Sequence, residues 1–449
     1  MLFIKSEDML KISEELLQFI WQHRLIKPGP LLSSRGNQIT VIHQGILNRD
    51  SGPDFFNGQI EVQGLKLSGN IELHLKTSDW NKHRHQHDPA YDKIILHVVL
   101  HHDVDLAQNT DNGVEIVELA SYIPREVLEV YQGLVSNKNN LPCGSSLENV
   151  SDLTFISWTE RMSAERLQQK TDKIEQLLLL CHGDYTQLMY FLLLSNFGFK
   201  VNALPFEMLA RLLPAQLLLR HSNNLPQLEA LLLGCAGMLD EQLENSYLRS
   251  LQNEFVFLQK KYGLHPMKKE LFKFSKMRPA NFPALRLAQF AALIHKEPTI
   301  LTAPLSFVST EQIIKIIVAE PGSYWKNHYQ TSGSVSGREL CLGRSSAEII
   351  IINTFVPFYF YYGHKFAKEE YRKLALDLLE ECRAEDNKKT RLFAAKKGKL
   401  KSATSSQGLI HLYDSYCEQK RCLECGIGVA ILREPTLKYR HETPERPWL

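Results

Sequence analysis

The chain has 449 residues, enough for two or three domains, and its 44% hydrophobic and 23% charged residues are typical of a globular protein. A formal net charge of +2 excludes a uniformly basic coat, so a polyanion would have to bind in a local groove. The start, MLFIKSEDML, lacks the pattern of a signal peptide, and the most apolar run, AEIIIINTFVPFYFYYGHK, is short for a bilayer span. We expect a cytoplasmic protein with no membrane partner, whose eight cysteines are reduced or bind metal.

The N-terminal region, residues 1–120, is predicted to be an α-β-β-β-α-β domain. A helix is expected from Glu7 to His23, because apolar residues recur there at helical spacing. The period then changes to two, and QITVIHQGI, FFNGQIEV and LKLSGNIELHLK are predicted strands, with a turn at Gln63-Gly64. TSDWNKHRHQHDPAYDK is expected to be helical or looped, and KIILHVVLHHD to form a fourth strand.

The remaining chain is expected to be mostly helical. Residues 121–150 read as a polar connector, and residues 151–380 contain leucine at helical spacing in many segments, which predicts a bundle. Residues 381–449 hold a basic stretch and a group of cysteines. The predicted fold class is therefore α+β, with the sheet first and the helical region after it.

A candidate catalytic site lies on the second and third predicted strands. Asp54 opens the second strand, and Glu72, His74 and Lys76 share one face of the third because strand side chains alternate. The opposite face is apolar, so the polar face is expected to look into a cleft or water. Carboxylates from neighbouring strands suit Mg²⁺ or Mn²⁺, whose bound water can attack a phosphate. The alternative is a turn aspartate beside a solvated sheet face.

The order of elements and the pair Pro53-Asp54…Glu72 resemble the PD-(D/E)XK nuclease superfamily, the restriction-endonuclease-like fold. The resemblance implies a metal-dependent nuclease in which Asp54 and Glu72 hold the catalytic cation. The sequence departs from the family at its lysine position, which is His74 here, with Lys76 two residues further on. Either side chain would position the attacking water or stabilise the developing charge.

Three alternating histidines follow the third strand. On a helix, His83 and His87 would share a face at the spacing of a zinc pair, whereas in an extended loop His85 would lie on the same side as both. Contact with phosphate and simple solvation are the alternatives. His97, inside IILHVVL, is expected to be a half-buried strand residue.

A second candidate metal site is the run YCEQKRCLECGIG, with Cys417, Cys422 and Cys425. Four thiolates are needed to close a zinc or iron–sulfur site, and Cys143 in LPCGSS is the expected fourth ligand. The spacing resembles that of plant-type ferredoxins, and some PD-(D/E)XK nucleases carry an iron–sulfur staple with three cysteines near the C-terminus. The alternative is four free thiols.

Two basic segments are candidate phosphate contacts. Arg278 and Arg286 flank the proline-framed turn in FKFSKMRPANFPALRLAQF, and arginine forks suit phosphates as well as buried carboxylates. Lys396 and Lys397 lie in KKTRLFAAKKGKLK, which is either a phosphate-contacting strip or a solvated helix end.

Segments along the whole chain, among them GILNRDSGPDF, FGFKVNALPFE and MRPANFPALRLAQFA, look like a bacterial family whose domain has no known function. Three hypotheses follow. The first is a divalent-metal-dependent nuclease acting on DNA or RNA. The second is a non-catalytic nucleic-acid-binding or scaffold protein with a degenerate nuclease fold, and the third is a zinc-dependent hydrolase.

Overall fold

The first helix, α1, spans Glu14–Gln22 and begins where the backbone N–H of Leu16 donates to the Ser13 hydroxyl at 3.2 Å. The structure, a computed structural model, describes residues 12–106, 114–137, 139–239, 243–275, 281–331 and 341–440. The predicted helix is thus confirmed from residue 14, and its expected start at Glu7 lies outside the described residues.

Two units make up the chain. The first, here called the sheet unit, consists of Met1–Trp158, Ala395–Gly398 and Leu412–Leu449. The second, the helical unit, consists of Thr159–Ala394 and Lys399–His411. Residues expected to be a connector, 121–150, belong to the sheet unit together with the C-terminal cysteine segment.

The sheet has the strand order β1-β2-β4-β5-β6-β7, with β3 paired to β4. Its strands are β1 Leu31–Leu32, β2 Gln38–His43, β3 Ile46–Leu47, β4 Phe55–Val62, β5 Leu65–Lys76, β6 Ile94–His101 and β7 Glu115–Glu118. The predicted β4 and β5 are confirmed to the residue. Between them Gln63 and Gly64 both adopt positive φ, 50° and 82°, which is the backbone of a tight hairpin turn.

Two details of the sheet differ from the prediction. The segment QITVIHQGI forms two strands instead of one, because the chain turns at Gly45, whose φ of 90° does not fit a strand. A further strand, β7, lies parallel to β6 beyond the four strands expected.

The connection between β5 and β6 decides what covers the sheet. These two strands are neighbours and run parallel. The chain between them must therefore return across one face of the sheet, from the end of β5 to the start of β6. This segment contains the short helix α2 (Asp79–Lys82) and the 3₁₀ turns His85–His87 and Pro89–Tyr91.

The later helices are α3 Arg125–Ser136, α4 Asp152–Leu180, α5 Tyr185–Phe197, α6 Phe199–Leu212, α7 Ala215–Arg220, α8 Leu225–Cys235, α9 Ser246–Tyr262, α10 Pro283–Lys296, α11 Thr299–Thr302, α12 Thr310–Ile317, α13 Arg344–Ile350, α14 Val356–Lys365, α15 Glu369–Glu381, α16 Lys388–Lys397, α17 Ala403–Leu412 and α18 Gly426–Arg440. The core of the helical unit includes the fully buried Phe197, Phe290 and Trp325.

An α+β protein with an N-terminal sheet followed by helices is confirmed. Within the described residues, no helix combines the length and apolar character needed to cross a bilayer.

Candidate metal centre

Strand pairing brings Asp54, Glu72 and His97 side by side. Phe55 lies opposite Ile71 across the β4–β5 pair, so Asp54 is adjacent to Glu72, and the Asp54 N–H donates to Glu72 Oε2 at 3.0 Å. On the other side of β5, the parallel register places Glu72 opposite His97 of β6. The Nδ1 of His74 and the Nε2 of His97 share a hydrogen bond of 2.9 Å.

The β5–β6 connection adds two more histidines to the same face. Trp80 of α2 is buried, and its ring centroid lies 5.1 Å from that of His97, which fixes the connection against the sheet. Arg84 then adopts a left-handed conformation with φ 63°, which an L residue rarely takes. This turn lies between His83 and His85, and both rings come within 5.2 Å of the His74 ring, centroid to centroid.

Ligand nitrogens of His74, His83 and His85 lie within 4.8 Å of one another, and Glu72 Oε1 lies beside two of these rings; the four side chains are here called the His/Glu cluster. The Nε2 of His74 lies 3.2 Å from His83 Nδ1 and 3.5 Å from Glu72 Oε1. The Nε2 of His85 lies 3.4 Å from the same Glu72 oxygen. In a tetrahedral site with bonds of about 2.0–2.1 Å, ligand atoms are about 3.3–3.4 Å apart. The three observed separations of 3.2, 3.4 and 3.5 Å are close to this value.

Several buried polar atoms around the cluster have no hydrogen-bond partner among the described residues: Trp80 Nε1, His85 Nε2, Gln86 Oε1 and His97 Nδ1. Each such atom costs about 1–3 kcal/mol when it is left unsatisfied. The His85 nitrogen matters most, because it faces a carboxylate oxygen without forming a hydrogen bond to it. Such an arrangement is satisfied when a cation lies between the two atoms.

Burial, together with the neighbouring His97, His85 and His83, lowers the pKa of His74 to about 2, which keeps this ring in the neutral form that metal binding requires. Burial also lowers the pKa of His97 to about 3. The neutral His74 ring can therefore donate from Nδ1 to His97 and keep the lone pair of its Nε2 for a metal ion.

The acids beside the cluster are crowded. Burial raises the pKa of Glu72 and of Asp54; Glu14 of α1 adds to the rise at both carboxyls, and Asp54 adds to the rise at Glu72. Asp54 is held in place by Gln18 Nε2, which donates at 2.8 Å, and by the Leu73 N–H at 3.0 Å. No lysine or arginine within the described ranges forms an ion pair with any of the three acids. A bound cation would reduce the repulsion among the negative charges of these acids.

The expectation of an open polar face on β5 is wrong. Glu72 is 4% exposed and His74 is 1% exposed, because the β5–β6 connection covers them. His97, expected to be half-buried, is fully buried at 0% for the same reason. His83 is exposed, so the cluster meets solvent at this ring.

Comparison with known proteins identifies the family. The model of the family described as protein of unknown function (DUF2851) matches residues 14–388. The chain belongs to this family. No curated protein and no solved structure matches it.

Two predicted residues of this DUF2851 protein lie outside the cluster. His87 is exposed at the end of its 3₁₀ turn and does not join the group of His74, His83 and His85, whose ligand nitrogens lie within 4.8 Å of one another. Lys76 is also exposed, at the end of β5 opposite His101. The histidine pair that the structure brings together is therefore His83 with His85.

The candidate phosphate contacts are engaged within the protein or not described. Arg286 is buried, donates to Gln289 Oε1 at 2.9 Å and Asn281 Oδ1 at 2.6 Å, and stacks over Phe199. Lys396 pairs with Glu148 at 2.9 Å. Lys397 pairs with Asp152 at 3.1 Å and donates to the Val150 carbonyl. Arg278 lies outside the described residues.

The four candidate cysteines lie in one part of the sheet unit. Cys143, Cys422 and Cys425 are buried and Cys417 is partly buried, and none forms a disulfide. Burial raises the pKa of Cys143 to about 12, and Cys425 and Cys422 raise it further. Burial likewise raises the pKa of Cys417, and all three other cysteines add to it. The four thiols are thus close enough to interact.

Sequence reasoning did not assign Glu14, Gln18, Tyr91 or His97 to the site. Tyr91 stacks on His85 at 3.9 Å between ring centroids, and burial raises its pKa, with Glu72 and Asp54 adding to the effect. His97 gave a weak signal, a histidine within a β-branched strand. Its role depends on the β5–β6 register, which no local pattern specifies.

Proposed function

We propose that the His/Glu cluster binds one divalent transition-metal ion and that the protein is a metal-dependent phosphodiesterase acting on DNA or RNA. The observation that carries the proposal is the set of separations at the cluster, 3.2 Å from His74 to His83, 3.5 Å from His74 to Glu72 and 3.4 Å from His85 to Glu72. They match the edges of a tetrahedral site of about 3.3–3.4 Å.

The donor set favours zinc over magnesium. Imidazole suits zinc, whereas Mg²⁺ prefers oxygen ligands and keeps several waters. The proposal thus departs from a cation held by Asp54 and Glu72 alone. It makes His74, at the lysine position of the PD-(D/E)XK motif, a ligand. Mn²⁺ is the second choice, because the site also offers carboxylates.

The residues of the chain have separable roles. Three protein ligands would leave the fourth position of a bound ion for a water, whose pKa the ion would lower, and the charge of the ion would act on a phosphate. Asp54, held by Gln18 and Leu73 beside Glu72, would orient the attacking water. His97 fixes the ring of His74 through their 2.9 Å hydrogen bond, as outer partners of metal-bound histidines do. The exposed His83 leaves one side of the site accessible to substrate.

Two features support a nucleic-acid substrate. The order helix, antiparallel β4 and β5, then parallel β6, with Asp54 before β4 and Glu72 within β5, is similar to the PD-(D/E)XK arrangement. In addition, Lys82 and Arg84 are exposed on the segment that supplies His83 and His85. Positive charge at this rim favours the approach of a phosphate backbone.

A zinc-dependent hydrolase of another ester or amide is the second candidate. It is favoured by the number of histidines, since zinc hydrolases commonly use sites built from imidazole with a carboxylate. The two candidates share the metal and differ only in substrate.

The test begins with metal-free protein prepared by chelation. Zn²⁺, Mn²⁺ and Mg²⁺ are titrated in turn, and cleavage of plasmid, single-stranded DNA, RNA and a chromogenic phosphodiester is measured. We expect zinc or manganese to restore cleavage, and Glu72→Ala and His74→Ala to lose both metal binding and cleavage. Asp54→Ala should bind metal and lose cleavage.

His87→Ala is the matched control for metal binding, because this histidine belongs to the same segment and lies outside the cluster. Cleavage that persists unchanged in Glu72→Ala and Asp54→Ala would refute the proposal. Metal binding without phosphodiester cleavage, but with salt-sensitive binding of nucleic acid, would instead indicate a non-catalytic binding protein. Cleavage of carboxylic esters alone would favour the second candidate.

A further inference from the structure

The C-terminal cysteines are held near Cys143 by packing within the sheet unit. Helix α18 packs against α3 and against the Leu147–Asn149 turn. Cys143 lies between these two elements in the chain, and Cys422 and Cys425 lie just before α18. In addition, Lys420 donates to the Val135 carbonyl at the end of α3. Chain positions more than 270 residues apart, 143 and 417–425, are therefore brought together.

The first turn of α18 is built close to these cysteines. The carbonyl of Cys425 accepts the Val429 N–H at 2.8 Å, which starts the helix. A Cβ at Gly428 would lie 2.0 Å from the Cys422 carbonyl oxygen, so only glycine allows this approach. Burial raises the pKa of the Cys425 thiol, but the N–H groups of Ile427 and Gly428 oppose this effect. The helix start thus offers donors to a negatively charged sulfur.

The spacing of the sulfurs argues against a single ion. Among the described residues, ligand atoms of three His, Cys, Asp or Glu side chains come within 4.8 Å of one another at His74, His83 and His85, and the cysteines form no such group. A tetrahedral zinc site with Zn–S bonds of about 2.3 Å requires sulfurs about 3.8 Å apart. An iron–sulfur cluster is larger, because iron and sulfide lie between the thiolates.

We infer that Cys143, Cys417, Cys422 and Cys425 bind an iron–sulfur cluster that ties the C-terminal segment to α3 and the following turn. Four ligands are the number such clusters require, and three of the four cysteines are buried while Cys417 is partly buried. The iron–sulfur site shares no residue with the His/Glu cluster, and this inference does not depend on the proposed activity. Its role is structural, since a bound cluster closes a loop of more than 270 residues, from position 143 to position 417.

The test uses the full chain carrying His74→Ala, so that a metal at the His/Glu cluster does not enter the analysis. The protein is purified without oxygen, and iron, acid-labile sulfide and zinc are measured per chain, together with visible absorption before and after reduction. We expect two or four irons per chain with equal sulfide, as for the two common cluster types, and an absorption band that bleaches on reduction.

Cys422→Ala and Cys417→Ala in the same background should lose the iron and sulfide. Cys382→Ala is the matched control, because Cys382 is a buried free cysteine of the helical unit, and this variant should keep both. If the cluster variants fail to fold, the protein with all four cysteines still provides a test. Oxidative loss of its cluster should make residues 412–440 susceptible to proteolysis.

Two results would overturn the inference. One is about one zinc per chain with no iron, with the zinc lost in Cys422→Ala, because four thiolates would then hold a single ion. The other is protein that takes up neither iron nor sulfide on anaerobic reconstitution.

Discussion

The sheet unit and the helical unit both bury ionisable side chains, but they treat them differently. In the helical unit, Glu229 is 0% exposed and accepts hydrogen bonds from the Tyr247 hydroxyl at 2.6 Å and Trp325 Nε1 at 2.9 Å. In the sheet unit, the buried Glu72 faces imidazole nitrogens at 3.4 and 3.5 Å instead. Both carboxylates accept hydrogen bonds at Oε2, Glu229 from two side chains and Glu72 from the Asp54 N–H, but only Glu72 places its other oxygen against two imidazole nitrogens.

Lys170 shows the same pattern as Glu229. Its ammonium donates to Asn353 Oδ1 and to Gln407 Oε1, each at 2.9 Å, all within the helical unit. An ionisable group whose polar partners come from neighbouring side chains of the same unit, as for Glu229 and the partly buried Lys170, indicates a structural role. Buried groups that converge without donors to match indicate a ligand. This difference separates the candidate site from the buried charges of the helical unit.

The largest expected effect comes from comparing the two buried glutamates in metal-free protein. Glu229→Ala should lower the free energy of unfolding by about 2–4 kcal/mol, because the Tyr247 hydroxyl and Trp325 N–H lose their acceptor. Glu72→Ala should stay within about 1 kcal/mol of the unsubstituted protein, since it removes a crowded acid and loses only the Asp54 N–H contact. Urea denaturation in the presence of a chelator measures both.

Added zinc should reveal the contribution of Glu72 to stability, because this residue acts through the bound ion. At a concentration of about 100 times its Kd, zinc should stabilise the unsubstituted protein and Glu229→Gln by about 2.7 kcal/mol, and Glu72→Ala much less. A metal-free Glu72→Ala protein that is as destabilised as Glu229→Ala would show that Glu72 is a structural residue, and the comparison would fail.

A smaller effect is expected at His97, which touches no proposed ligand atom and acts through His74. His97→Phe preserves much of the buried volume but removes the 2.9 Å hydrogen bond to His74 Nδ1. We expect zinc binding to weaken by about 10–100-fold, the usual effect of losing an outer partner of a metal-bound histidine. Competition with a chromogenic chelator measures the change.

His97→Gln, which can still accept from His74, should recover part of the affinity. Equal affinity in His97→Phe and the unsubstituted protein would mean that the hydrogen bond does not orient the ligand.

The last prediction is a pH dependence at Lys170, whose effect per pH unit is the smallest of the series. Burial, together with Arg166, lowers the pKa of this ammonium to about 7, and Glu385 opposes the shift. Between about pH 7 and the unfolded value of about 10.4, the unfolded chain binds the extra proton, so Lys170 favours folding increasingly as pH rises. The free energy of unfolding of the unsubstituted protein should therefore rise relative to that of Lys170→Met, by at most about 1.4 kcal/mol per pH unit above pH 7.

Urea denaturation at several pH values tests this, with Lys260→Met, an exposed lysine of the same unit, as the control. A difference that is constant with pH would show that Lys170 stays protonated in the folded protein.

Local patterns predicted the hairpin, but they did not predict what covers the polar face of β5. The alternation of apolar and polar residues, with Gln63-Gly64 between two strands, gave β4 and β5 to the residue. The same alternation predicted an open face for Glu72 and His74, which is wrong, because alternation says which residues share a face and not what covers it. The same limit applies to the segment with His83 and His85, for which simple solvation was one of the predicted alternatives.

The sequence by itself determined the α+β class, the strands that carry Asp54 and Glu72, and the presence of four cysteines at metal-ligand spacing. These depend on interactions between residues close in the chain, which periodicity and turn chemistry report. Only the tertiary structure decided that the β5–β6 connection folds over the sheet, that His83 and His85 meet His74, and that His97 supports His74. Those outcomes depend on strand register and on packing between distant segments, which no single stretch of sequence specifies.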